Sequence, residues 1–382
     1  MRILIVPDHF KGSLTAVQAA AEIHAGLAEI YPDWKYRCLA LADGGEGTLE
    51  VLLESRNGER IERLVHDPLH RRIKASFGLF DGGEMAVIEM AEASGLLLLA
   101  SGERNPEICS TLGTGELIRA ALDSGCRKLV IGVGGSATND GGMGMLSALG
   151  ARFYDRHGTL LSPSGQVLQQ IQHIDLEELD QRLAHCTVEV IGDVDNPLLG
   201  PTGATRVFGP QKGADPAMVD RLERGMQNYA RCLERVSAQS ISRIPGSGAA
   251  GGIVAACLAV FHARLRPGID VIAKLLDLEK EIQYADLVIS GEGCVDSQTT
   301  HGKVVAGVAR RTRRWGKPLL VLAGSRSDDM DALREMGIDV ILTTLPRLTA
   351  EKAIFAGGAK TLRETARNAA LLLRLGKNLG SG

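Results

Sequence analysis

The feature that most constrains the fold of this chain is a series of short apolar runs. Each run is followed by a polar or glycine-rich turn and then by a helical pattern. Residues 3–6, 129–131 and 319–322 are continuous apolar runs, which is typical of strands buried on both faces of a sheet. Helical periodicity follows at residues 15–30 and 304–314. Strands that alternate with helices usually pair in parallel through right-handed crossovers. The sequence therefore predicts an α/β fold.

The alternation is regular at both ends of the chain and weaker in the middle. A second short strand is expected at residues 38–42, and further strands at 60–66, 73–79 and 85–89. Helices are expected at 107–124 and 216–236. A length of 382 residues fits two domains better than one core. We expect one discontinuous domain, residues 1–66 with 264–382, and an inserted mixed α/β domain, residues 67–263.

The composition of the chain limits which classes of binding partner are expected. The formal net charge of -3 lacks the basic excess that nucleic-acid binding uses. Residues 244–263 carry no charge, but their first half is rich in glycine, so we expect a loop and a buried helix at 253–263 rather than a membrane span. The 7 cysteines are dispersed, which fits a reducing compartment such as the cytoplasm.

A glycine-rich stretch at residues 132–144 follows a predicted strand and precedes a predicted helix. Glycines let backbone N–H groups close around an anion, and a helix start adds partial positive charge. A tight strand-to-helix turn would need fewer glycines. The stretch therefore predicts a phosphate-binding loop, with candidate contacts from Gly134, Gly135, Ser136, Thr138, Asn139, Gly141 and Gly142.

Two carboxylates follow another apolar run. Asp193 and Asp195 are two residues apart, so in extended backbone they face the same side. Such a pair suits Mg²⁺, or one member could accept a substrate proton. A solvated turn before Pro197 is the alternative. Lys212, between turn residues, could stabilise a transferring phosphoryl group.

Other turns after predicted strands carry charged residues, and each alone would be read as a simple turn. Because the carboxyl ends of parallel strands meet at one edge of a sheet, we expect them to gather there. These further candidates for a substrate or metal site are Asp8, Lys11, Asp43, Arg206, Glu292 and Lys303.

The motifs together resemble the bacterial type-1 glycerate kinases. The matching stretches occur in family order over nearly the whole chain, at residues 10–14, 42–48, 113–117, 134–142, 193–198, 208–214, 248–252 and 291–293. The resemblance implies a Rossmann- or flavodoxin-like domain, an inserted mixed α/β domain and an active cleft between them. It also implies transfer of the γ-phosphoryl group of ATP to D-glycerate, usually giving 2-phosphoglycerate, with 3-phosphoglycerate as the alternative.

On this reading the loop at 134–142 binds the phosphates of ATP. Asp193 is the general base and Asp195 the Mg²⁺ ligand, although the two roles can be exchanged. Lys212 stabilises the phosphoryl group. Asp8, Lys11, Asp43 and Glu292 line the glycerate or metal site, and the glycerate carboxylate binds Lys11, Arg206 or Lys303.

Two departures from the family pattern bear on activity. Cys294 stands where arginine is usual, and His9 stands where serine is usual. A non-catalytic metabolite-binding protein of the same fold is therefore one alternative. A nicotinamide-dependent dehydrogenase is another, weakened because no dinucleotide fingerprint follows the first strand. The oligomeric state is open, with a homodimer as one option.

Overall fold

The computed structural model describes residues 1–295, 304–326, 331–345 and 351–379. The strands are β1 (Arg2–Ile5), β2 (Lys35–Cys38), β3 (Gly58–His66), β4 (Arg72–Phe80), β5 (Met85–Glu89), β6 (Lys128–Gly132), β7 (Arg152–Tyr154), β8 (His173–Asp175), β9 (Thr187–Ile191), β10 (Arg264–Arg266), β11 (Leu287–Val295), β12 (Leu319–Arg326) and β13 (Val340–Thr343). The α-helices are α1 (Ala16–Ala28), α2 (Thr48–Ser55), α3 (Ala91–Ser94), α4 (Leu112–Asp123), α5 (Met143–Ala148), α6 (Ala204–Phe208), α7 (Pro216–Ser237), α8 (Ala249–Val260), α9 (Gly268–Leu275), α10 (Leu278–Tyr284), α11 (Val304–Arg314), α12 (Asp331–Glu335) and α13 (Glu351–Leu379).

The first of two compact units comprises residues 1–43, 50–55 and 269–382. Its sheet has the order β13-β12-β11-β1-β2, and every neighbouring pair is parallel. Numbered within the unit, this order is 2-1-3-4-5, as in flavodoxin-like folds. Ile3 and Ile5 alternate with Leu4 across the sheet and pack, together with Leu27 of α1, in a buried cluster with residues of α13. The apolar run that predicted β1 is thus buried on both faces of the sheet.

The second unit comprises residues 44–49 and 56–268. Its six-stranded sheet has the order β10-β9-β6-β5-β4-β3, in which β10, β9, β6 and β5 are parallel and β5, β4 and β3 are antiparallel. Strands β7 and β8 form a separate antiparallel pair. One buried cluster extends from Val65 to Ala263. The parallel sheet of the first unit and the mixed sheet of the second confirm the predicted α/β class.

Helix α7 is well determined by its sequence. The Asp215 side chain accepts a hydrogen bond from the backbone N–H of Met218 at 2.7 Å, and Pro216 occupies the first turn. The buried side chains Leu222, Met226 and Leu233 recur at helical spacing. This helix begins four residues after Lys212, so it anchors the turn on which Lys212 lies.

Two predicted elements were misplaced. The strand expected at residues 38–42 lies at Lys35–Cys38, because β2 pairs with β1 only from Arg2 opposite Lys35 to Ile5 opposite Cys38. Leu39 and Leu41 are buried in a loop, which explains their apolar character. The helix expected from residue 107 begins at Leu112, because the Asn105 side chain turns the chain by accepting from the backbone N–H of Glu107 at 3.0 Å.

The uncharged stretch before residue 264 forms α8 inside the second unit, as expected of a buried helix. Across the described ranges, no helix combines the length and apolar character that crossing a membrane requires. The bounds of independently folding domains stay a prediction.

Candidate active site

The glycine-rich loop leaves the carboxyl end of β6, in the middle of the parallel part of the six-stranded sheet. Its first residues touch a second glycine-rich turn at residues 44–47: a Cβ atom on Gly134 would lie 2.7 Å from the Cα of Gly45. Gly135 has a φ of 70° and its added Cβ would lie 3.1 Å from a carboxylate oxygen of Glu46. Only glycine permits this close approach of the two turns.

Lys212 crosses from a distant turn to this loop. Its ammonium Nζ donates to Ser136 Oγ at 2.8 Å and to the Thr138 carbonyl oxygen at 2.7 Å. The side chain is only 2% exposed. Burial lowers the pKa of Lys212 to about 8, and the nearby carboxylate of Asp140 partly opposes that shift. Two neutral oxygens therefore hold an ammonium group that can donate one more hydrogen bond.

The start of the loop also offers backbone donors. Within the described part of the chain, no residue accepts a hydrogen bond from the N–H groups of Gly134, Gly135 or Ser136. Gly135 is exposed and Gly134 partly so. Donors clustered beside a lysine ammonium are the arrangement expected of an anion site.

The second half of the loop lies inside the unit. Asn139 donates to Thr205 Oγ1 at 3.1 Å, and Asp140 accepts from both the backbone N–H and the hydroxyl of Thr111, each at 2.8 Å. The Gly141 N–H donates to the Gly251 carbonyl oxygen at 2.9 Å. The structure thus buries four of the predicted cofactor contacts, which are Thr138, Asn139, Gly141 and Gly142.

Glu89, at the end of β5 beside β6, is a buried carboxyl group that the sequence analysis missed. It accepts from the backbone N–H of Leu49 at 2.5 Å and of Gly47 at 3.4 Å. Burial raises the pKa of Glu89 to about 7, against the effect of those hydrogen bonds. An acidic residue ending a fully apolar strand, as in residues 85–89, was the available signal.

The paired aspartates lie in different environments. Asp193 is partly buried just beyond the end of β9 and accepts from the backbone N–H of Gly268 at 3.0 Å. Asp195 is exposed. The strand register pairs Ile191 with Gly132, which places Asp193 and the start of the glycine-rich loop at neighbouring strand ends.

The structure does not bring Arg206 into this group. It is exposed on α6, and its guanidinium lies 3.3 Å from the carboxylate of Asp220 on α7.

Several acidic candidates lie in the first unit: Asp8 and Asp43 follow β1 and β2, whereas Glu292, expected in a turn, lies inside β11. Asp8 and Glu292 are each 4% exposed, and the Asp8 N–H donates to the Gly291 carbonyl oxygen at 2.8 Å. Burial raises the pKa of Asp8, and the negative charge of Asp43 raises it further. The hydrogen bond with His9 lowers the pKa of Asp8. His9 Nδ1 lies 2.7 Å from Asp8 Oδ1, and this hydrogen bond raises the pKa of His9.

Lys11 is exposed at the same end of this sheet. Its backbone approaches Gly293, where an added Cβ would lie 3.2 Å from the Lys11 nitrogen. Lys303 lies outside the described residues. Within those residues, no group of three or more histidine, cysteine, aspartate or glutamate side chains could hold a metal by itself.

Known proteins share this fold and sequence over the full chain. The model of the glycerate kinase family matches residues 3–374. The glycerate kinase of Bacillus subtilis (strain 168) is 45% identical over 379 residues, covering 99% of each chain. The glycerate 2-kinase of Escherichia coli (strain K12) is 42% identical over 381 residues, covering 100% of each.

A solved structure from Salmonella typhimurium LT2, provisionally named glycerate kinase 2, is also similar. It superposes with a TM-score of 0.88 at 44% identity and covers 99% of each chain. The family model and these full-length relatives agree with the resemblance seen in the motifs. The chain belongs to the glycerate kinase family.

Proposed function

We propose that the protein transfers the γ-phosphoryl group of ATP to the 2-hydroxyl of D-glycerate, giving 2-phosphoglycerate and ADP. The observation that carries this proposal is the buried Lys212 ammonium, fixed by Ser136 and Thr138 beside available backbone donors. Phosphoryl transfer depends on positioning and on neutralising charge at the phosphoryl oxygens, and this group supplies both. The 2-position is favoured because a full-length relative is named glycerate 2-kinase.

In the proposed mechanism, the N–H groups of Gly134, Gly135 and Ser136 bind the phosphates of ATP. Lys212 donates its remaining hydrogen bond to the transferring phosphoryl group. Asn139, Gly141 and Gly142 keep the loop in shape, since each already hydrogen-bonds to protein. Thr138 contributes through its carbonyl oxygen, which accepts from Lys212. This assigns the direct phosphate contacts to the first half of the loop.

Asp193 is proposed as the base that accepts the proton of the attacking hydroxyl. One of its carboxylate oxygens accepts from Gly268, which orients the group at the end of β9. Asp195, exposed two residues later, would hold Mg²⁺. A single carboxylate is a suitable donor set, because Mg²⁺ completes its shell with water and phosphate oxygens. When bound, the ion would neutralise phosphate charge.

Glycerate is proposed to bind at the ends of β1 and β11. Lys11, exposed there, would pair with its carboxylate, and the hydroxyl groups would donate to Asp8, Asp43 or Glu292. Arg206 is a weaker candidate for the carboxylate because Asp220 already neutralises it. Lys303 keeps its role only as a prediction from the sequence.

The test is incubation of the purified protein with ATP, Mg²⁺ and D-glycerate, with the product identified by phosphorus NMR. We expect ADP and 2-phosphoglycerate in equal amounts. A 3-phosphoglycerate signal would correct the position, and ATP left unchanged would contradict the proposed function. Lys212→Met should lower kcat by two orders of magnitude or more (about 10²–10³). Wild-type turnover by Asp193→Asn would remove Asp193 from the chemistry.

A further inference from the structure

Arg104 is a partly buried cation that forms no ion pair with any residue the structure describes. Its Nε is enclosed by protein and has no hydrogen-bond partner, and no ion pair reaches its guanidinium within the described ranges. Neighbouring Arg71, in contrast, pairs with Asp67 and with Glu103, the residue just before Arg104. A guanidinium stays charged at every accessible pH, so partial burial without an acceptor is costly. An anionic ligand would supply the acceptor that the protein does not provide.

The backbone places Arg104 beside the turn that delivers Lys212. Gly213 has a φ of 97°, and a Cβ added to it would lie 2.3 Å from the Arg104 carbonyl oxygen and 3.0 Å from the Arg104 Cβ. The two backbone segments are thus in van der Waals contact. Gly213, which contacts Arg104, is the next residue after Lys212 in the sequence.

The segment around Arg104 also rests on the glycine-rich loop. Leu99 and Cys109, on either side of Arg104 in the sequence, form a small buried cluster with Ala137. Ala137 lies between Ser136 and Thr138, the two residues that hold the Lys212 ammonium. One contact thus places the Arg104 backbone beside Gly213, and a second packs the segment that carries Arg104 on Ala137 of the loop.

We propose that Arg104 binds a phosphate group of the nucleotide, alongside Lys212 and the backbone donors of the loop. This inference rests on the proposed function, since it names a second cation for the same anion site. The planar guanidinium can donate two parallel hydrogen bonds to phosphate oxygens, which a lysine cannot do. Arg104 would thus fix the orientation of the polyphosphate, while Lys212 follows the transferring group.

The experiment compares binding by the whole protein and its Arg104→Met variant. Isothermal titration with ADP should show affinity lower by about tenfold to a hundredfold, the range for charge-assisted hydrogen bonds. Adenosine, which has no phosphate, should bind both proteins equally. Arg104→Lys should recover part of the ADP affinity, because it restores the charge but not the paired donors. Arg182→Met is the matched control, since Arg182 pairs with Asp180 and Asp123 before β9.

Specific outcomes would overturn the inference. ADP affinity equal to that of the wild type would do so, as would an equal loss for adenosine, which would indicate a structural role. Weaker binding of 2-phosphoglycerate with unchanged ADP binding would assign Arg104 to the other phosphate source and exclude the nucleotide. Thermal unfolding shows that each variant is folded, and Arg104→Gln replaces the methionine variant if that one is not. Failure of the wild type to bind ADP would instead count against the proposed function.

Discussion

Two buried ionisable side chains in the second unit, Lys212 and Glu89, have pKa values moved towards neutrality. Burial is the largest cause for both, lowering the pKa of the amine to about 8 and raising that of the carboxyl to about 7. Groups with such values can change charge near neutral pH, which is common at functional sites. Among the described residues, Glu89 hydrogen-bonds to no other candidate, so its effect can be tested through stability.

We predict that Glu89→Gln stabilises the protein at pH 8 and has little effect at pH 5. In the unfolded chain Glu89 ionises near pH 4.5, whereas in the folded protein it keeps its proton up to about pH 7. Between these values the folded state binds more protons, so its free energy of unfolding falls as pH rises, by up to about 1.4 kcal/mol per pH unit. The charges of neighbouring Glu92 and Glu46 also raise the pKa of Glu89. Glutamine removes the ionisation and keeps an acceptor for Leu49.

Urea unfolding at pH 5, 6, 7 and 8 measures this difference. The variant should exceed the wild type by about 1–3 kcal/mol at pH 8, and the two curves should converge at low pH. Glu84→Gln, at an exposed glutamate, should follow the wild-type profile. Parallel curves for Glu89→Gln and wild type would mean that Glu89 is not the titrating group.

At the scale of elements, the strands were predictable because burial on both faces produces continuous apolar runs, as in β1 and β6. The presence of a loop after β6 was predictable for the same reason. Which half of it faces solvent was not, because that depends on contacts between residues far apart in the chain. Ser136 meets Lys212 across 76 positions, and the Gly141 amide meets Gly251 from α8. Arg104 was missed because an isolated charged residue in a loop carries no pattern, whereas Glu89 could have been found from its place at the end of an apolar strand.

The start of α8 packs against the glycine-rich loop that follows β6. Ala250, Gly251 and Gly252 have positive φ angles of 53°, 69° and 89° within this helix. A Cβ on Gly251 would lie 2.1 Å from the Thr138 carbonyl oxygen, which is also an acceptor for Lys212. The left-handed turn therefore holds one wall of the lysine site in place.

We predict that Gly251→Ala destabilises the protein more than Gly158→Ala does. Both glycines have positive φ, 69° and 77°, but no atom of the described residues lies within 4 Å of a Cβ added to Gly158. Left-handed strain alone should cost about 1 kcal/mol, while the clash with Thr138 should bring the Gly251 variant to about 2–4 kcal/mol. Urea unfolding gives both values. Equal losses of unfolding free energy in the two variants would show that the loop at Thr138 moves aside without an energetic cost.

At the scale of the whole molecule, each of the two sheets carries its own group of candidate residues beyond or in the carboxyl-terminal half of its parallel strands. In the first unit these are Asp8, Asp43 and Glu292, and in the second they are Asp193 and the glycine-rich loop. Parallel strands bring their carboxyl ends to one edge of a sheet, so this grouping follows from topology. Each unit also has its own buried cluster. Both features favour two folding domains.

We predict that a fragment of residues 56–268 folds by itself, whereas a fragment of residues 67–263 does not fold stably. The longer fragment contains all six strands of the second sheet and its buried cluster from Val65 to Ala263. The shorter one, with the bounds expected from the sequence, loses β3 and β10, which are the two outer strands. It would leave β4 and β9 as unpaired edges, which invite aggregation.

Thermal unfolding followed by circular dichroism should be cooperative for residues 56–268, although at lower temperature than in the full chain. The reason for the lower temperature is that the amides of Gly47 and Leu49, which satisfy Glu89, are absent from the fragment. Glu89→Gln should therefore stabilise the fragment more than the full chain, since it removes a buried carboxyl that has lost its donors. A non-cooperative transition for residues 56–268 would show that the second unit depends on the rest of the chain for its fold.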